Sequence, residues 1–506
     1  MRGISHALLL AFAITNAIVY SALLPLWEGF DEAFHYGYVD SLASTRKAPV
    51  LGETRLPNEV WDSLLRTPVS HVVQHAWPEL QSFDQYFALT AAEQARQIGA
   101  RDGLPHDVTG SVHTNYEAQQ PPLAYAILAV PDLILWKARL ASRILWLRIF
   151  ASVIALCITY FGGRSLLSPL AMFCIFACQM YWATVSHIGN DWLALALSVW
   201  FFAAVCRFAN DPAPRFAIHL AIVTALGLLT KAYFLPLAAV AAVEVAWLRR
   251  RSLPVFVAII GLCAGPWYVR NLVLYGNVSG LLMTRNGVRV SNIGSVDWSR
   301  AIPYMLRATL WTGNNSFLNF SQFTLDAVLA LLACGLVLYA RSVRKADLWL
   351  ITSIAIYGCA IVWVTANDVE FLHGQSAGAA PWYTVVLLAP VVALSFTGMS
   401  RGGRPGSILA AATATLFLYI CAATYAVKLI PLYSGFPEGR NTLLKTLQWY
   451  GSGASWGGTL SRTSLAPWYA ICAGAGMIVL LGTVVLITVL RSGCPQWRAK
   501  THRPYP

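Results

Sequence analysis

The sequence predicts an all-α membrane protein of 12–13 transmembrane helices with a large outward-facing loop after the first of them. Of the 506 residues, 57% are hydrophobic and only 12% are charged, whereas soluble domains carry about 25% charged residues. Apolar runs of about 20 residues, each long enough to cross a bilayer as a helix, recur almost to the C-terminal end. This composition excludes an ordinary soluble enzyme.

The net charge of +13 is distributed unevenly along the chain. Residues 27–120 contain 13 acidic and six basic residues, a balance of −7, so the rest of the chain carries +20. Many of these positive residues lie in short connectors between apolar runs, which is typical of cytoplasmic loops under the positive-inside rule. No block of like charge is long enough to hold a polynucleotide, and we therefore expect no nucleic-acid partner.

The first apolar run, residues 4–26, follows Arg2 and has no clear small-residue cleavage site. We therefore expect a retained first helix with a cytoplasmic N-terminus. The later apolar runs, separated by Gly, Pro and charged residues, cover roughly 121–136, 146–162, 168–186, 191–208, 216–230, 233–248, 253–272, 323–340, 347–365, 381–397, 406–427 and 466–490.

The basic connectors orient these helices. Placing Arg249 to Arg251 inside puts Lys231 outside, and the same alternation puts the C-terminal tail inside. Followed towards the N-terminus, the same alternation puts Arg164 inside, whereas the first loop is outside. An odd number of crossings must therefore lie between them, and the two runs 121–136 and 146–162 do not give one. Either the short run 121–136, broken by Pro131 and Asp132, does not span fully, or a second crossing lies in the Arg-rich stretch 137–148.

The predicted organisation therefore alternates membrane segments with outward loops. Its parts are a first transmembrane helix (1–26), an extracytoplasmic loop with the candidate catalytic residues (27–120), an N-terminal transmembrane bundle (121–272), a second extracytoplasmic loop (273–322), a C-terminal transmembrane bundle (323–490) with outward loops 366–380 and 428–465, and a cytoplasmic tail (491–506).

The first loop has 94 residues, which is too long for a simple connector and predicts a small folded unit on the membrane. Thr90 and Glu93 have capping-box spacing ahead of a short helix that could end at Gly99. Residues 58–66 would form an amphipathic helix. We expect such helices to rest their apolar faces on the bilayer.

The strongest cluster of reactive groups lies just after the first helix, where residues 27–36 read WEGFDEAFHY. In a helix, His35 can meet either Asp31 or Glu32, while the adjacent acids diverge by about 100°. Only one acid is therefore expected to point into a given site. A carboxylate held partly desolvated at a membrane interface has its pKa raised towards the working range of a general base.

A second motif lies where the first loop re-enters the membrane, at residues 116–125, which read YEAQQPPLAY. Pro121 and Pro122 can start a helix, because the first turn does not need their missing N–H groups. Glu117 would then lie at the mouth of that helix. Helix initiation explains the prolines but does not explain the glutamate.

Taken together, these motifs and the long first loop resemble the GT-C superfamily of glycosyltransferases, which use polyprenyl-phosphate-linked sugars. The resemblance is to the protein O-mannosyltransferase and lipid A aminoarabinose transferase branch, which is glycosyltransferase family 39-like. Looser matches are Gly189 to Asp191, Thr230 with Lys231, 265–271 and 275–277. The match covers roughly residues 25–280, and the later part of the chain matches only in hydropathy.

The resemblance implies that Asp31 or Glu32 is the catalytic base and that an acceptor hydroxyl displaces the lipid phosphate with inversion. Outward cations near membrane depth would stabilise that phosphate. The expected substrate-binding residues are Glu28, His35, Glu117, Lys231, Arg270, Tyr383 and His373. Asp31 or Glu32, Glu117 and Lys231 should converge on one outward cavity. One departure is the segment 379–383, AAPWY, where such enzymes often have an Arg-Tyr pair.

The sequence implies no certain cofactor. Asp31 with His35, and His71 with His75, could each supply two ligands to a divalent cation, but no H-E-x-x-H or Asp-x-Asp motif completes a set. The expected partners are a polyprenyl-phosphate-sugar donor, membrane lipid and a glycan, lipid or protein acceptor. We expect a multi-pass protein of a bacterial inner or plasma membrane, with its site facing outward.

Other functions remain open at this point. A transporter or flippase of a lipid-linked or polar solute would need ionisable residues at mid-bilayer and broken helices in related halves. The sequence has no internal repeat, and its acids cluster outside the membrane. A non-catalytic component of envelope polysaccharide assembly is a third alternative. A polysaccharide polymerase or ligase usually has its large outward loop late in the chain.

Overall fold

The computed structural model describes residues 2–280, 290–371, 378–436, 442–452 and 455–496. Within these ranges the chain is almost entirely helical, and one small antiparallel sheet pairs β1 (Arg55–Pro57) with β2 (Gly110–Thr114). The all-α class predicted from the composition is confirmed. We call the side of the bundle on which residues 24–120 lie the loop face.

Helix α1 (Arg2–Leu23) leads into the loop face, which contains five further helices. These are α2 (Glu32–Thr45), α3 (Asn58–Leu64), α4 (His71–Ala76), α5 (Phe83–Phe87) and α6 (Ala91–Asp102).

The helices that follow the first loop continue in chain order to the C-terminal end. They are α7 (Leu123–Ile134), α8 (Leu140–Gly163), α9 (Pro169–Ala177), α10 (Gln179–Val185), α11 (Asp191–Asn210), α12 (Pro214–Leu228), α13 (Phe234–Arg249), α14 (Leu253–Cys263), α15 (Gly265–Tyr275), α16 (Trp298–Ala308), α17 (Gln322–Ala340), α18 (Asp347–Phe371), α19 (Pro381–Thr384), α20 (Leu388–Arg401), α21 (Gly403–Ala423), α22 (Ile430–Tyr433), α23 (Leu443–Tyr450), α24 (Trp456–Thr463) and α25 (Trp468–Gln496).

Every predicted apolar run is helical, but not every run is a full-length span. Among the described residues, eight helices are long and apolar enough to cross a membrane, and a ninth span results if the pair α13–α14 and α15, bent by 54°, is counted as one. This count is lower than 12–13, because the runs 121–136, 168–186 and 216–230 form shorter helices.

The parity problem at 121–136 has a structural explanation. Helix α7 has only 12 residues and ends at Ile134, so at 1.5 Å per residue it is about 18 Å long, against about 30 Å of hydrocarbon. The chain then turns and enters α8 at Leu140, whose N-terminal part contains Arg143 and Arg148. Of the two alternatives, the structure therefore favours a run that does not span.

The predicted helices of the first loop are present, with two differences. The capping box of Thr90 and Glu93 is formed, but α6 continues past Gly99 to Asp102, since a single glycine costs a helix only about 1 kcal/mol. Val60 and Leu64 of α3 are buried in the protein, so the expectation that this apolar face rests on the bilayer is wrong for them. The first loop packs on the bundle instead.

The packing of α2 places the candidate site. Helix α2 packs against α7, and α7 and α1 both pack against α8. The turn between α1 and α2 is therefore held at the loop face above the N-terminal half of α8. Residues 187–191, 230–233 and 311–317 approach the same turn.

Candidate active site

The turn that carries the predicted acids has an unusual backbone. Trp27 and Asp31 are both in the left-handed region, with φ of 66° and 51°, which costs free energy for residues other than glycine and is concentrated at functional sites. Two hydrogen bonds from Asn315 hold the turn: its backbone N–H donates to the Glu28 carbonyl at 3.3 Å and its side chain to the Gly29 carbonyl at 2.8 Å.

Glu32 has a structural role at the start of α2. Its carboxylate forms a buried ion pair with Arg148 and also accepts the Ile188 N–H at 3.0 Å. Arg148 donates in addition to the carbonyl groups of Ser21, Leu24 and Pro25. One guanidinium thus joins the end of α1, the start of α2 and the segment before α11.

Asp31, although adjacent to Glu32, is exposed to solvent. Its Oδ1 accepts a hydrogen bond from the Tyr116 hydroxyl at 2.7 Å. Protein packed around the carboxyl raises its pKa by desolvation, and the Tyr116 hydrogen bond and the charge of Lys231 oppose the rise. Asp31 and Glu32, which are equivalent candidates in the sequence, therefore lie in different environments.

Glu28 lies on the buried side of the turn. Its Oε1 accepts hydrogen bonds from the Ser316 hydroxyl at 2.5 Å and the Tyr433 hydroxyl at 3.3 Å. Asn314 donates to the Tyr433 hydroxyl and accepts a hydrogen bond from the Tyr20 hydroxyl. Glu28 therefore ties the turn to residues almost 300 positions later in the chain.

Glu117 and His35 meet in a buried pocket of α2, α7 and the 3₁₀ turn Tyr116–Gln119. Glu117 Oε2 is 3.5 Å from His35 Nδ1, which is 2.8 Å from the Tyr125 hydroxyl. Burial, followed by the charge of Asp31, raises the pKa of Glu117 to about 8. Burial also lowers the pKa of His35 well below its usual value, so Glu117 is protonated and His35 is neutral near pH 7.

A second histidine, His187, reaches the turn from the segment between α10 and α11. Its Nδ1 lies 2.9 Å from the Ala183 carbonyl, which can only accept a hydrogen bond, so Nδ1 carries the proton and Nε2 is an acceptor. Nε2 is buried and has no partner among the described residues. Gly29 permits this approach, because a Cβ there would lie 2.3 Å from the His187 side chain.

Lys231 is buried and forms an ion pair with Asp191 at the start of α11. Its ammonium also lies over the rings of Tyr383 and Tyr233, at 5.2 and 5.8 Å from their centroids. Asn190, next to Asp191, bonds the side chain of Gln120 and the carbonyl of Thr230. The loosely matched motifs at 189–191 and 230–231 thus form one unit with the re-entry motif.

Arg270 lies farther along the same face. Its guanidinium donates to the Pro49 carbonyl at 2.7 Å and stacks over Trp267 at 4.5 Å from the ring centroid. The other terminal nitrogen, Nη1, is buried without a hydrogen-bond partner in the described part of the chain. Arg270 therefore has a free donor, whereas the charge of Lys231 is already balanced by Asp191.

The structure thus brings most of the predicted residues into one cluster around α2. Tyr116 links Asp31 to Glu117, His35 links Glu117 to Tyr125, and Tyr125 stacks on Tyr38 at 3.9 Å. His373 lies outside the described residues. Within the described ranges, no group of three or more His, Cys, Asp or Glu residues is arranged to hold a metal ion.

Several residues of this cluster were not singled out from the sequence. The most important are Arg148, His187, Asn315, Ser316 and Tyr433. Arg148 had a detectable signal, because an arginine inside an apolar helical run needs a buried partner. The other four lie in unremarkable local sequence and reach the site only through the tertiary fold.

The arrangement combines one exposed carboxylate with a buried neutral acid and two neutral imidazoles. An exposed carboxylate with a raised pKa can take a proton from a hydroxyl group. The unpartnered Nε2 of His187 can accept a hydrogen bond from a bound polar molecule. Arg270 can donate to an anion with its free nitrogen.

Comparisons with known proteins show that this chain is similar to others in fold but not in sequence. No protein-family model matches the chain, and no curated protein is similar to it in sequence. Among solved structures, ArnT from Cupriavidus metallidurans bound to undecaprenyl phosphate is similar over 97% of this chain and 78% of its own, with 13% identity and a TM-score of 0.45.

An oligosaccharyltransferase of Archaeoglobus fulgidus in the apo form is similar over 89% of this chain and 58% of its own, with 12% identity and a TM-score of 0.40. AglB from the same organism, in complex with an inhibitory peptide and dolichol-phosphate, shows 11% identity, a TM-score of 0.41 and coverage of 92% and 60%. These proteins are GT-C enzymes, the superfamily that the motifs resemble. At this similarity the likeness does not extend to the chemistry of the site.

Proposed function

We propose that this chain is a GT-C-type glycosyltransferase of the bacterial plasma membrane. It transfers a sugar from a polyprenyl-phosphate-linked donor to an acceptor hydroxyl on the outer face. The observation that carries the proposal is the separation of the two adjacent acids: Glu32 is locked by Arg148, whereas Asp31 is exposed in a left-handed turn beside buried His35, His187 and Glu117.

In the proposed reaction Asp31 is the general base. Its carboxylate takes the proton of the acceptor hydroxyl while the acceptor oxygen attacks the anomeric carbon. The bond between that carbon and the phosphate oxygen breaks on the opposite face, so the configuration inverts and polyprenyl phosphate leaves with the bonding electron pair. The leaving phosphate needs no general acid.

The surrounding residues support this role for Asp31. Tyr116 orients the carboxylate through its 2.7 Å hydrogen bond and limits the rise of its pKa. Glu117 is protonated near pH 7 because burial and Asp31 raise its pKa, so a second negative charge is not placed beside the base. The raised pKa of Asp31 brings it closer to that of an effective base at neutral pH.

Arg270 is the proposed phosphate ligand, because its Nη1 has no partner among the described residues and its guanidinium is held by Pro49 and Trp267. Lys231 lies closer to the acids but is paired with Asp191. Its positive charge is therefore already balanced. We therefore expect Arg270→Gln to raise the KM for the donor more than it lowers kcat.

The test is transfer from polyprenyl-phosphate sugars by the purified protein in lipid nanodiscs. Asp31→Asn should lower kcat at least about 100-fold, with a thermal unfolding midpoint close to that of the wild type. Asp62→Asn, which changes an exposed acid of the same loop, is the matched control. Wild-type activity in Asp31→Asn would refute the mechanism, and wild-type protein that turns over no such donor would refute the function.

A further inference from the structure

A separate recess lies beside the candidate active site on the loop face. Its volume is about 170 Å³, and it is formed where α4 and α5 of the first loop meet the chain after α22. Phe83, Phe87 and Phe436 form aromatic walls, and His71 and Asp84 contribute polar groups. None of these residues belongs to the catalytic cluster described above.

One side chain separates the recess from the catalytic turn. The ring of Phe83 packs against that of Tyr433, with 5.8 Å between centroids. The Tyr433 hydroxyl donates to Glu28 at 3.3 Å, and Glu28 begins the turn that ends in Asp31. Helix α4 also packs on the turn Asn314–Ser316, which holds Glu28 from the other side. The recess is therefore joined to the catalytic turn through Phe83, Tyr433 and Glu28.

The polar groups are arranged at the open edge of the recess. His71 Nε2 lies 2.9 Å from Asp84 Oδ2, and the two side chains are 54% and 68% exposed. The pair presents a carboxylate oxygen and an imidazole to solvent, above walls made of aromatic rings. Aromatic faces with a few directional polar groups suit a ligand that has an apolar face and hydroxyl groups at its rim, which describes a pyranose ring.

The shape of the recess depends on the backbone of Gly435. This residue has a φ of +89°, and a Cβ there would lie 3.3 Å from the ring of Phe87. Glycine thus lets the chain after α22 approach α5 and close one side of the recess. The recess has a volume of about 170 Å³, so we expect it to hold a single ring rather than a longer fragment.

The charge of the recess restricts the ligand. Among the described residues, Asp84 is the acid that lines it, and no lysine or arginine does so. A uronic acid or phosphorylated sugar would meet this carboxylate. An uncharged sugar, or one with an amino group, meets no such repulsion.

We propose that this recess is an acceptor subsite, which binds one uncharged or amino-substituted pyranose of a glycan acceptor. The proposal rests on the proposed glycosyltransferase function for its place in the reaction. Binding of a sugar to the recess is nevertheless a separate property and can be measured without turnover.

The first experiment measures binding to the full-length protein in nanodiscs by ligand-observed NMR. The probes are mannotriose, N-acetylchitotriose and, as the anionic counterpart, trigalacturonic acid. We expect millimolar binding of at least one uncharged trisaccharide, at least fivefold weaker binding in both Phe87→Ala and Asp84→Asn, and weaker binding of trigalacturonic acid. Asp62→Asn and His75→Gln, which change exposed groups of the same loop, should bind like the wild type.

Two results would overturn the proposal: no uncharged trisaccharide binds, or Phe87→Ala and Asp84→Asn bind it as tightly as the wild type does. Asp84 is exposed at the recess edge, so its variant keeps the test valid even if Phe87→Ala fails to fold. With an active donor, both variants should raise the acceptor KM at least fivefold and leave kcat and the donor KM unchanged.

The two proposals fail in different ways. If trisaccharide binding depends on the recess but the wild type transfers no sugar from any polyprenyl-phosphate donor, the proposed function is wrong and the sugar site remains. If transfer occurs and depends on Asp31 but the recess variants have the wild-type acceptor KM, the function stands and the subsite is wrong.

Discussion

Two clusters of acids and histidines lie along α2, and they differ in whether an arginine joins them. Near its N-terminal end, Asp31 and Glu117 lie with His35 and His187. These four residues have no arginine among their hydrogen-bond or ion-pair partners in the described chain. Glu117 Oε2 and His187 Nε2 have no hydrogen-bond partner in the same ranges.

Farther along α2, Arg143 organises the other cluster. Its guanidinium pairs with Glu59, donates to the Tyr36 hydroxyl at 2.6 Å and lies 3.1 Å from His106 Nε2. His106 is in turn 2.9 Å from Asp40. Burial raises the pKa of Glu59, but the hydrogen bond and charge of Arg143 oppose that rise.

The comparison shows how similar residues acquire different roles. Both arginines come from α8, where Arg143 and Arg148 are five residues apart. Each neutralises a buried glutamate and connects segments of the first loop to the bundle. Asp31 and Glu117 have no arginine partner in the described chain, and burial raises the pKa of each carboxyl.

The largest expected effect comes from removing one of these arginines. Arg148→Met leaves Glu32 as a buried unpaired charge and frees three backbone carbonyls. We expect the free energy of unfolding to fall by about 3–5 kcal/mol, measured by thermal or denaturant unfolding in detergent. Arg300→Met, at an exposed arginine, is the control and should change little. A stable Arg148→Met protein would show that the pair is not what holds the turn.

The next effect concerns the pH dependence of stability. Glu117 has its pKa raised to about 8 in the folded protein, so between pH 5 and 8 the unfolded chain releases this proton more readily than the folded one. Wild-type stability should therefore fall as the pH rises through this window. Glu117→Gln should match the wild type near pH 5 and exceed it at pH 8–9 by about 4 kcal/mol.

Unfolding midpoints across pH measure this effect, with Glu79→Gln as a control at an exposed acid. Parallel pH profiles for the wild type and Glu117→Gln would contradict the assignment of a buried, protonated Glu117. They would also remove the main electrostatic difference between the two clusters.

A smaller effect is expected on the pH dependence of catalysis. The Tyr116 hydroxyl stabilises the ionised form of Asp31, so Tyr116→Phe should raise the pKa of Asp31 further. The acid limb of the kcat profile would then move up by about 0.5–1 pH unit, with a few-fold lower rate at neutral pH. Tyr86→Phe, at a buried tyrosine outside the cluster, is the control. A shift to lower pH would mean that Asp31 is not the titrating base.

The smallest effect is expected at the other cluster. His106→Gln removes the contact with Asp40 but retains the pair of Arg143 with Glu59. We expect a loss of about 1 kcal/mol in stability and less than a threefold change in kcat, against a larger loss of activity in His35→Gln. If His106→Gln lowered kcat as much as His35→Gln does, the functional distinction between the clusters would fail.

Much of the fold followed from local sequence patterns, for identifiable reasons. The predicted apolar runs are helical because hydrocarbon forces a chain to satisfy its own backbone hydrogen bonds. Eight or nine helices of the described chain are long and apolar enough to span, against 12–13 predicted, because hydropathy does not report where a helix begins, bends or ends: α7 covers only Leu123–Ile134. The capping box at Thr90 and Glu93 was predictable because its hydrogen bonds are local.

The candidate site was predictable in its location but not in the roles of its residues. Asp31, Glu32 and His35 lie in one short motif, and Glu117 lies in the next. Their spacing could not decide which acid is free, because Arg148 is 116 residues from Glu32 and Ser316 is 288 residues from Glu28. The sequence also predicted Lys231 and Arg270 as equivalent cations, and only the Asp191 pair distinguishes them.

By itself, the sequence determined the all-α membrane class, the uneven charge and the placement of the scarce acids in one loop, because hydropathy and charge are properties of neighbouring residues. The tertiary structure decided which acid is neutralised, which histidine nitrogen has no partner among the described residues and where a recess opens on the loop face. Those outcomes depend on side chains from α8 and the segments 187–191, 311–317 and 430–436, and the free energy of a buried charge is set by whatever the fold places next to it.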